Sequence, residues 1–153
     1  MNYRLFQKYQ FKCYLNGGHC IIIDGRQGQV HPHTWEFILT ILIRKEQFLE
    51  FNVFEKAIEI FFAKYQNQTL NQIKPFDHIM PTLENMVEYF GAELRNVMSA
   101  TGGELIQIEG SETPTRSYII SYENSPEYME NIDRYTKDAV SEMFDKIIDD
   151  TDF

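Results

Sequence analysis

The spacing of the hydrophobic residues changes twice along this chain, and that change constrains the fold more than any other feature. Up to residue 44 apolar and polar side chains roughly alternate, which is typical of half-buried strands. Residues 54–65 and about 81–98 repeat at helical spacing. Residues 104–109 and 116–122 return to short strand-like segments. We therefore predict the order β-β-α-α-β-β, an α+β unit with two helices inserted in an antiparallel sheet.

Turn-forming residues set the expected limits of the first strands. Residues 3–15 and 30–44 are predicted as two long strands, with a short β-branched strand at 20–24 between them. The segment Asn16-Gly17-Gly18 is expected to end the first strand, and residues 24–28 (DGRQG) have the composition of a hairpin turn.

Charge is concentrated at the end of the chain. Residues 123–153 hold ten acidic and three basic residues, a net charge of −7 within the −9 of the 153-residue protein. No basic face remains, which argues against a nucleic-acid partner. Residues 131–149 have helical spacing, so we predict an acidic helical extension over 123–153. That helix is either a solvated surface or a docking surface for a basic partner. The remaining residues, 1–122, are predicted to form one domain.

Neither a secretory signal nor a membrane segment is expected. The first residues lead into an alternating stretch rather than an apolar core, and no run approaches the roughly 18 apolar residues that a membrane helix needs. Two cysteines, Cys13 and Cys20, do not make a disulfide framework. These features predict a cytoplasmic protein.

Three of the four histidines lie between residues 19 and 33. His31 and His33 are two apart on a predicted strand, so they share one face. A hairpin through residues 24–29 would place His19 opposite them. Three imidazoles with an open fourth position are typical of catalytic zinc sites. The alternative is a set of exposed histidines on an edge strand.

Four motifs in this order resemble the 6-pyruvoyl-tetrahydropterin synthase and 6-carboxytetrahydropterin synthase family. Residues 15–19 (LNGGH) are similar to Phe-x-Ala-Ser-His, and residues 31–35 (HPHTW) to His-Gly-His-x-Tyr. Residues 81–85 (PTLEN) are similar to Pro-Thr-x-Glu-Asn, and residues 106–118 to the Val-x-Glu…Tyr ending. The resemblance covers about residues 3–122.

This resemblance implies a tunnelling (T-fold) unit whose sheets close into a barrel across a homotrimer, with two trimers stacked as a hexamer. It implies that the three histidines bind Zn²⁺ and that Glu109 holds the 2-amino-4-oxo edge of a pterin-like substrate. Thr82 could add a hydroxyl to the pterin. Without the family, Glu109 is interpreted as a surface carboxylate and Thr82 as a helix N-cap.

The acid–base residues of the family are not evident. Its cysteine before the His-x-His motif is absent, and Gln27 stands four residues before His31. Its Asp-His pair aligns with Gln66-Asn67. Asp77 and His78 remain as candidate catalytic residues in the loop before the second helix.

Three hypotheses follow. The first is a zinc-dependent lyase of the pterin or 7-deazapurine (queuosine precursor) branch, acting on 7,8-dihydroneopterin triphosphate or a related pterin. The second is a catalytically altered protein that binds zinc and a pterin-like ligand without the usual turnover. The third is an α+β oligomer that holds no metal.

Overall fold

A five-stranded sheet with two helices on one face forms the part of the chain that holds the histidines. The computed structural model describes residues 8–43, 51–122 and 143–147. Its elements in chain order are β1 (Lys8–His19), β2 (Ile22–Ile23), β3 (Arg26–Gln27), β4 (His31–Ile43), α1 (Phe51–Ala63), β5 (Gln68–Thr69), a 3₁₀ turn (Leu70–Gln72), α2 (Leu83–Thr101), β6 (Gly103–Thr113) and β7 (Arg116–Ser121).

The predicted α+β order is present in these residues. The sheet has the order β5-β1-β4-β6-β7, antiparallel at every junction except the short parallel pairing of β1 with β5. The strands β2 and β3 form a separate small hairpin. Its turn at Asp24 and Gly25 has positive φ at both residues, 52° and 76°, which is the backbone of a type I′ hairpin turn.

The first strand does not end at residue 15, so that sequence prediction is wrong. The strand β1 continues through Gly17 and Gly18 to His19. A Cβ on Gly17 would lie 2.8 Å from the Gln68 carbonyl oxygen. Glycine at this position therefore lets β5 approach and pair with β1, and it does not interrupt the strand. The penultimate strand is also longer than the predicted 104–109 and reaches Thr113.

The second helix has clear signals at both ends. The Thr82 hydroxyl accepts a hydrogen bond from the Asn85 backbone N–H at 3.2 Å, which is an ordinary N-cap. Gly102 ends the helix in the left-handed conformation, with φ 97°. The N-cap and the bond from the Asn85 side chain to the Met80 carbonyl hold residues 80–82, and the Pro81 carbonyl lies 2.7 Å from His19 Nδ1 at the end of β1.

The hydrophobic core lies between the helices and one face of the sheet. Odd-numbered residues of β4 from Trp35 to Ile41 are buried and face the helices. A cluster of aromatic rings fills the centre, with Phe37 stacked on Phe62 and packed edge-on against Phe90. Because side chains alternate along a strand, the odd positions His31 and His33 project from the same face as this core.

Some predictions lie outside the described residues. Residues 143–147 are helical, and the rest of the predicted helix over 131–149 is not among the described residues; neither are residues 3–7 of the predicted first strand. Among the described residues, no helix is both long and apolar enough to cross a membrane.

Candidate metal and ligand site

The three histidines predicted as metal ligands lie together at one end of the β1–β4 ladder. His19 pairs directly with His31, and His33 follows two residues later on the same face. The ring centroids are 4.5 to 4.9 Å apart, and one nitrogen from each ring lies within 4.8 Å of the others. The exposure falls from His31, which is exposed, through His33 to His19, which is buried.

Backbone carbonyls fix the tautomers of two of these rings. The Nδ1–H of His19 donates to the Pro81 carbonyl oxygen at 2.7 Å, and that of His31 donates to the Gln29 carbonyl oxygen at 3.1 Å. A carbonyl oxygen only accepts, so the proton belongs on Nδ1 and the lone pair on Nε2. Histidine ligands in metal sites are held in the same way.

The spacing of these nitrogens fits a tetrahedral metal. Two zinc–nitrogen bonds of about 2.0–2.1 Å at a tetrahedral angle place the nitrogens about 3.3–3.4 Å apart. From separations of at most 4.8 Å, the rings need to close by little more than an ångström. The donor set, the tautomers and the spacing therefore all suit a zinc ion.

The pKa of His19 is lowered, mainly because burial disfavours the charged ring. The Pro81 carbonyl and the Glu112 carboxylate oppose this effect, and His31 and His33 add to it. The lowered pKa keeps His19 in the neutral form, which is the form that binds a metal.

A carboxylate that the sequence interpretation did not select lies beside the histidines. Glu112 Oε1 is 3.7 Å from His19 Nε2 and accepts a hydrogen bond from Trp35 Nε1 at 3.1 Å. The β6–β7 ladder shifts its register between Gly110 and Thr113, but the β4–β6 ladder stays regular through Gly110 and Ser111, so alternation puts Glu112 on the same face as Gly110. A signal was available, because two-residue steps from the buried Ile108 lead through Gly110 to Glu112.

Glu109, the predicted substrate-binding carboxylate, is not brought to the histidines. It pairs with Ile38 and Ile119, while its neighbours Ile108 and Gly110 face the helices. Side chains alternate along a strand, so Glu109 projects from the opposite face of the sheet. Within one chain Glu109 does not reach the histidines, and its role toward a substrate stays a prediction.

Thr82 lies next to Pro81, whose carbonyl holds His19. Its hydroxyl oxygen caps α2, as the structural alternative predicted. The hydroxyl proton is not used by that bond, because the oxygen is the acceptor. A role for Thr82 toward a ligand stays a prediction.

Asp77 and His78 lie apart from the triad. They form a pair with each other at 3.6 Å, and the His78 side chain is 83% exposed. Within residues 8–43 and 51–122, the hydrogen bonds, ion pairs and ring contacts of the structure do not join either residue to the three histidines. Their predicted catalytic role is therefore not placed at this site within one chain.

Amides occupy the positions where acid–base groups were expected. Gln66 accepts from the Asn16 N–H at 3.0 Å and donates to the Tyr14 carbonyl at 2.9 Å, so it ties the chain to β1. Gln27 donates to Cys20 Sγ at 3.4 Å. A neutral amide does not carry a proton to or from a substrate at ordinary pH.

Two surface clefts lie near the histidines and Glu112. His33 lines a cleft of about 670 Å³ together with residues 67–69 and 16–18. Glu112 lines a smaller cleft of about 320 Å³, and Thr34 borders both. Of these two clefts, only the one lined by His33 includes a metal-ligand candidate.

Comparisons with known proteins agree with the geometry. Residues 8–123 match the family model described as 6-pyruvoyl tetrahydropterin synthase. None of the curated proteins matches the sequence.

Solved structures share the fold at low identity. The structure of Caenorhabditis elegans 6-pyruvoyl tetrahydropterin synthase is 14% identical, with a TM-score of 0.65 over 79% of this chain and 99% of that one. An uncharacterized protein from Wolinella succinogenes is 11% identical, with a TM-score of 0.61 over 78% and 100%. A catalytic-residue mutant of the Plasmodium vivax enzyme, with a glutamate changed to alanine, is 12% identical, with a TM-score of 0.54 over 74% and 97%.

Proposed function

Because the chain belongs to the 6-pyruvoyl tetrahydropterin synthase family, we propose that it binds zinc through His19, His31 and His33 and acts on a pterin-like substrate. The substrate we propose is 7,8-dihydroneopterin triphosphate or a related pterin, in the pterin or 7-deazapurine (queuosine precursor) branch. The observation that supports this best is the histidine triad, with two tautomers fixed and three nitrogens converging.

A bound zinc ion supplies a Lewis acid that polarises the hydroxyls of the substrate side chain. The residues of the chain bind and orient that substrate. We propose that Glu112, rather than Glu109, accepts the paired N–H groups of a 2-amino-4-oxo ring, because it is the carboxylate beside the triad. Thr82 lies one residue from the Pro81 carbonyl and offers its hydroxyl proton to the ligand.

A second candidate function has its own support. In this candidate the protein binds zinc and a pterin without the usual turnover. The support is that Gln27 and Gln66 are amides at the positions where proton-transfer groups were expected. In the first candidate the proton carriers come from elsewhere. We propose that Asp77 and the exposed His78 then serve the site of a neighbouring subunit.

The assembly is also part of the proposal. We propose a homo-oligomer in which sheets close into a barrel across three subunits, with two such rings stacked. The outer strand β7 presents the half-exposed Ile119 on the face of the sheet opposite the helices, which suits burial against another copy. A cytoplasmic location, the division of domains at residue 122 and an acidic C-terminal helix complete the proposal.

Zinc analysis followed by incubation with 7,8-dihydroneopterin triphosphate tests both candidates. About one zinc per chain with a new pterin product supports the lyase. About one zinc with bound but unchanged substrate supports the second candidate. No zinc would contradict both and favour an α+β oligomer without metal.

The matched pair His31→Ala and His78→Ala adds the control. Both substitutions remove one imidazole, but only His31 lies in the triad. We expect His31→Ala to lose zinc and His78→Ala to keep it. Equal zinc content in the two variants would contradict the assigned ligands.

A further inference from the structure

One buried ring touches both halves of the site. Trp35 is fully buried on β4, two residues after His33. Its ring centroid is 5.1 Å from that of His19 and 5.3 Å from that of His33. Its Nε1–H donates to Glu112 Oε1 at 3.1 Å. The same side chain therefore packs on two metal-ligand candidates and holds the carboxylate next to them.

Building on the proposed function, we propose that Trp35 is a positioning residue, which fixes the Glu112 carboxylate for ligand binding through its indole N–H. The metal half of the site, which is the three histidines, depends on the Trp35 ring that packs against His19 and His33. The ligand half depends on the N–H. The shape of the Trp35 ring and its N–H therefore have different roles, and a residue that only packs would have no role for its N–H.

The carboxylate needs such a donor. The Glu112 side chain is 21% exposed, and it lies where the β6–β7 pairing is irregular. A carboxylate in that position has rotamers that face solvent, and one hydrogen bond from a rigid, buried ring selects among them. The buried indole N–H in turn gains the acceptor that it requires.

The held oxygen determines what the other oxygen can do. Oε1 accepts from Trp35 and lies 3.7 Å from His19 Nε2, whereas among the described residues no hydrogen bond engages Oε2, so Oε2 keeps both of its lone pairs for a ligand. A heterocycle edge with two adjacent N–H donors matches this arrangement. The Trp35 N–H therefore serves recognition of the heterocycle edge, while the Trp35 ring packs against His19 and His33.

The chain has one tryptophan, so its N–H can be removed almost without changing its shape. Growth on β-(3-benzothienyl)alanine replaces the indole N–H with sulfur at this position alone. Trp35→Phe removes the N–H by ordinary mutagenesis and keeps an aromatic ring. We would measure zinc content, and the affinity of the zinc-loaded protein for neopterin, an oxidised fluorescent pterin.

We expect zinc content to be kept and neopterin affinity to fall roughly tenfold, as for a lost hydrogen bond to a charged group. The same replacement in a Glu112→Gln background should add little further loss, because Trp35 acts through that carboxylate. In the unliganded protein, Glu112→Gln should also shift the indole N–H proton resonance. These three results together support the proposal.

The failures are distinguishable. Unchanged neopterin affinity in the benzothienyl protein overturns the role of Trp35 and leaves the proposed function standing. An equal loss with and without Glu112 means that the ring only packs, and also overturns it. Wild-type protein that binds zinc but no neopterin overturns the proposed function, and this inference with it.

Discussion

Exchange of Glu112 for glutamine separates the two carboxylates that compete for the ligand. Glu112→Gln keeps the size of the side chain and removes its charge. Glu109→Gln makes the same change three residues away on the opposite face of the sheet. If Glu112 binds the edge of the pterin, only the first substitution should weaken ligand binding.

The hydrogen bond from Trp35 determines how large the loss should be. Its indole N–H donates to one oxygen of residue 112, so in the variant the amide carbonyl takes that position. The NH₂ group then points to the ligand, which itself presents donors. At least one charge-assisted hydrogen bond is lost, worth about 1.5–3 kcal/mol. That free energy corresponds to a rise in Kd of roughly 10- to 150-fold.

Neopterin fluorescence with zinc-loaded protein measures this change. We expect Glu109→Gln to change the Kd less than about twofold, since Glu109 projects from the face of the sheet opposite the histidines. Zinc content should stay the same in both variants, because neither carboxylate belongs to the triad. A larger loss for Glu109→Gln, or equal losses, would refute the assignment of Glu112.

Three further predictions concern the framework of the site. In Gly110→Ala the new methyl group would lie 2.5 Å from Val87 Cγ2. We therefore expect the free energy of unfolding, measured with urea, to fall by about 1–3 kcal/mol. Val87→Ala should restore part of it, and strict additivity would contradict the clash. Burial raises the pKa of the Cys13 thiol to about 12 from 9.0, so the unfolded state loses its proton first and stability should fall as pH rises above 9. Cys13→Ala should show a shallower fall between pH 8 and 10, and an unchanged slope would count against this cause. The Asn71 amide bonds both the N–H and the C=O of Cys20 at 2.9 Å, so Asn71→Ala should lower thermal stability and weaken zinc binding beside the first ligand. Unaltered zinc affinity would show that this clamp does not support the site.

Local patterns predicted the elements and the metal-ligand candidates well. Alternation in residues 30–44 predicts a strand, and the spacing in residues 54–65 predicts a helix, because burial of one face imposes a fixed period on each element. Two histidines two residues apart must share a face of a strand. The turn at Asp24 and Gly25 brings the chain back, and the pairing of β1 with β4 then places His19 opposite His31.

Long-range relations were harder to predict. Gly17 and Gly18 predict a break when only their sequence neighbours are considered, because their neighbours in space are distant in sequence. The close carbonyl of Gln68, which requires a residue without a side chain, is 51 positions away. The same holds for Asp77 and His78, which look catalytic as a dipeptide but pair with each other away from the triad.

The sequence by itself determined the α+β order of this protein, the face that His31 and His33 share, and its family. These properties depend on periodicity and on short motifs, and both are formed by residues that are close together in the sequence. Only the tertiary structure decided which carboxylate reaches the histidines. Glu109 and Glu112 differ by three positions on one strand, and Glu112 lies beside the histidines because of the face of the sheet it occupies and its hydrogen bond from Trp35, a residue 77 positions away. Contacts between distant segments arise when strands pair, and local composition does not encode them.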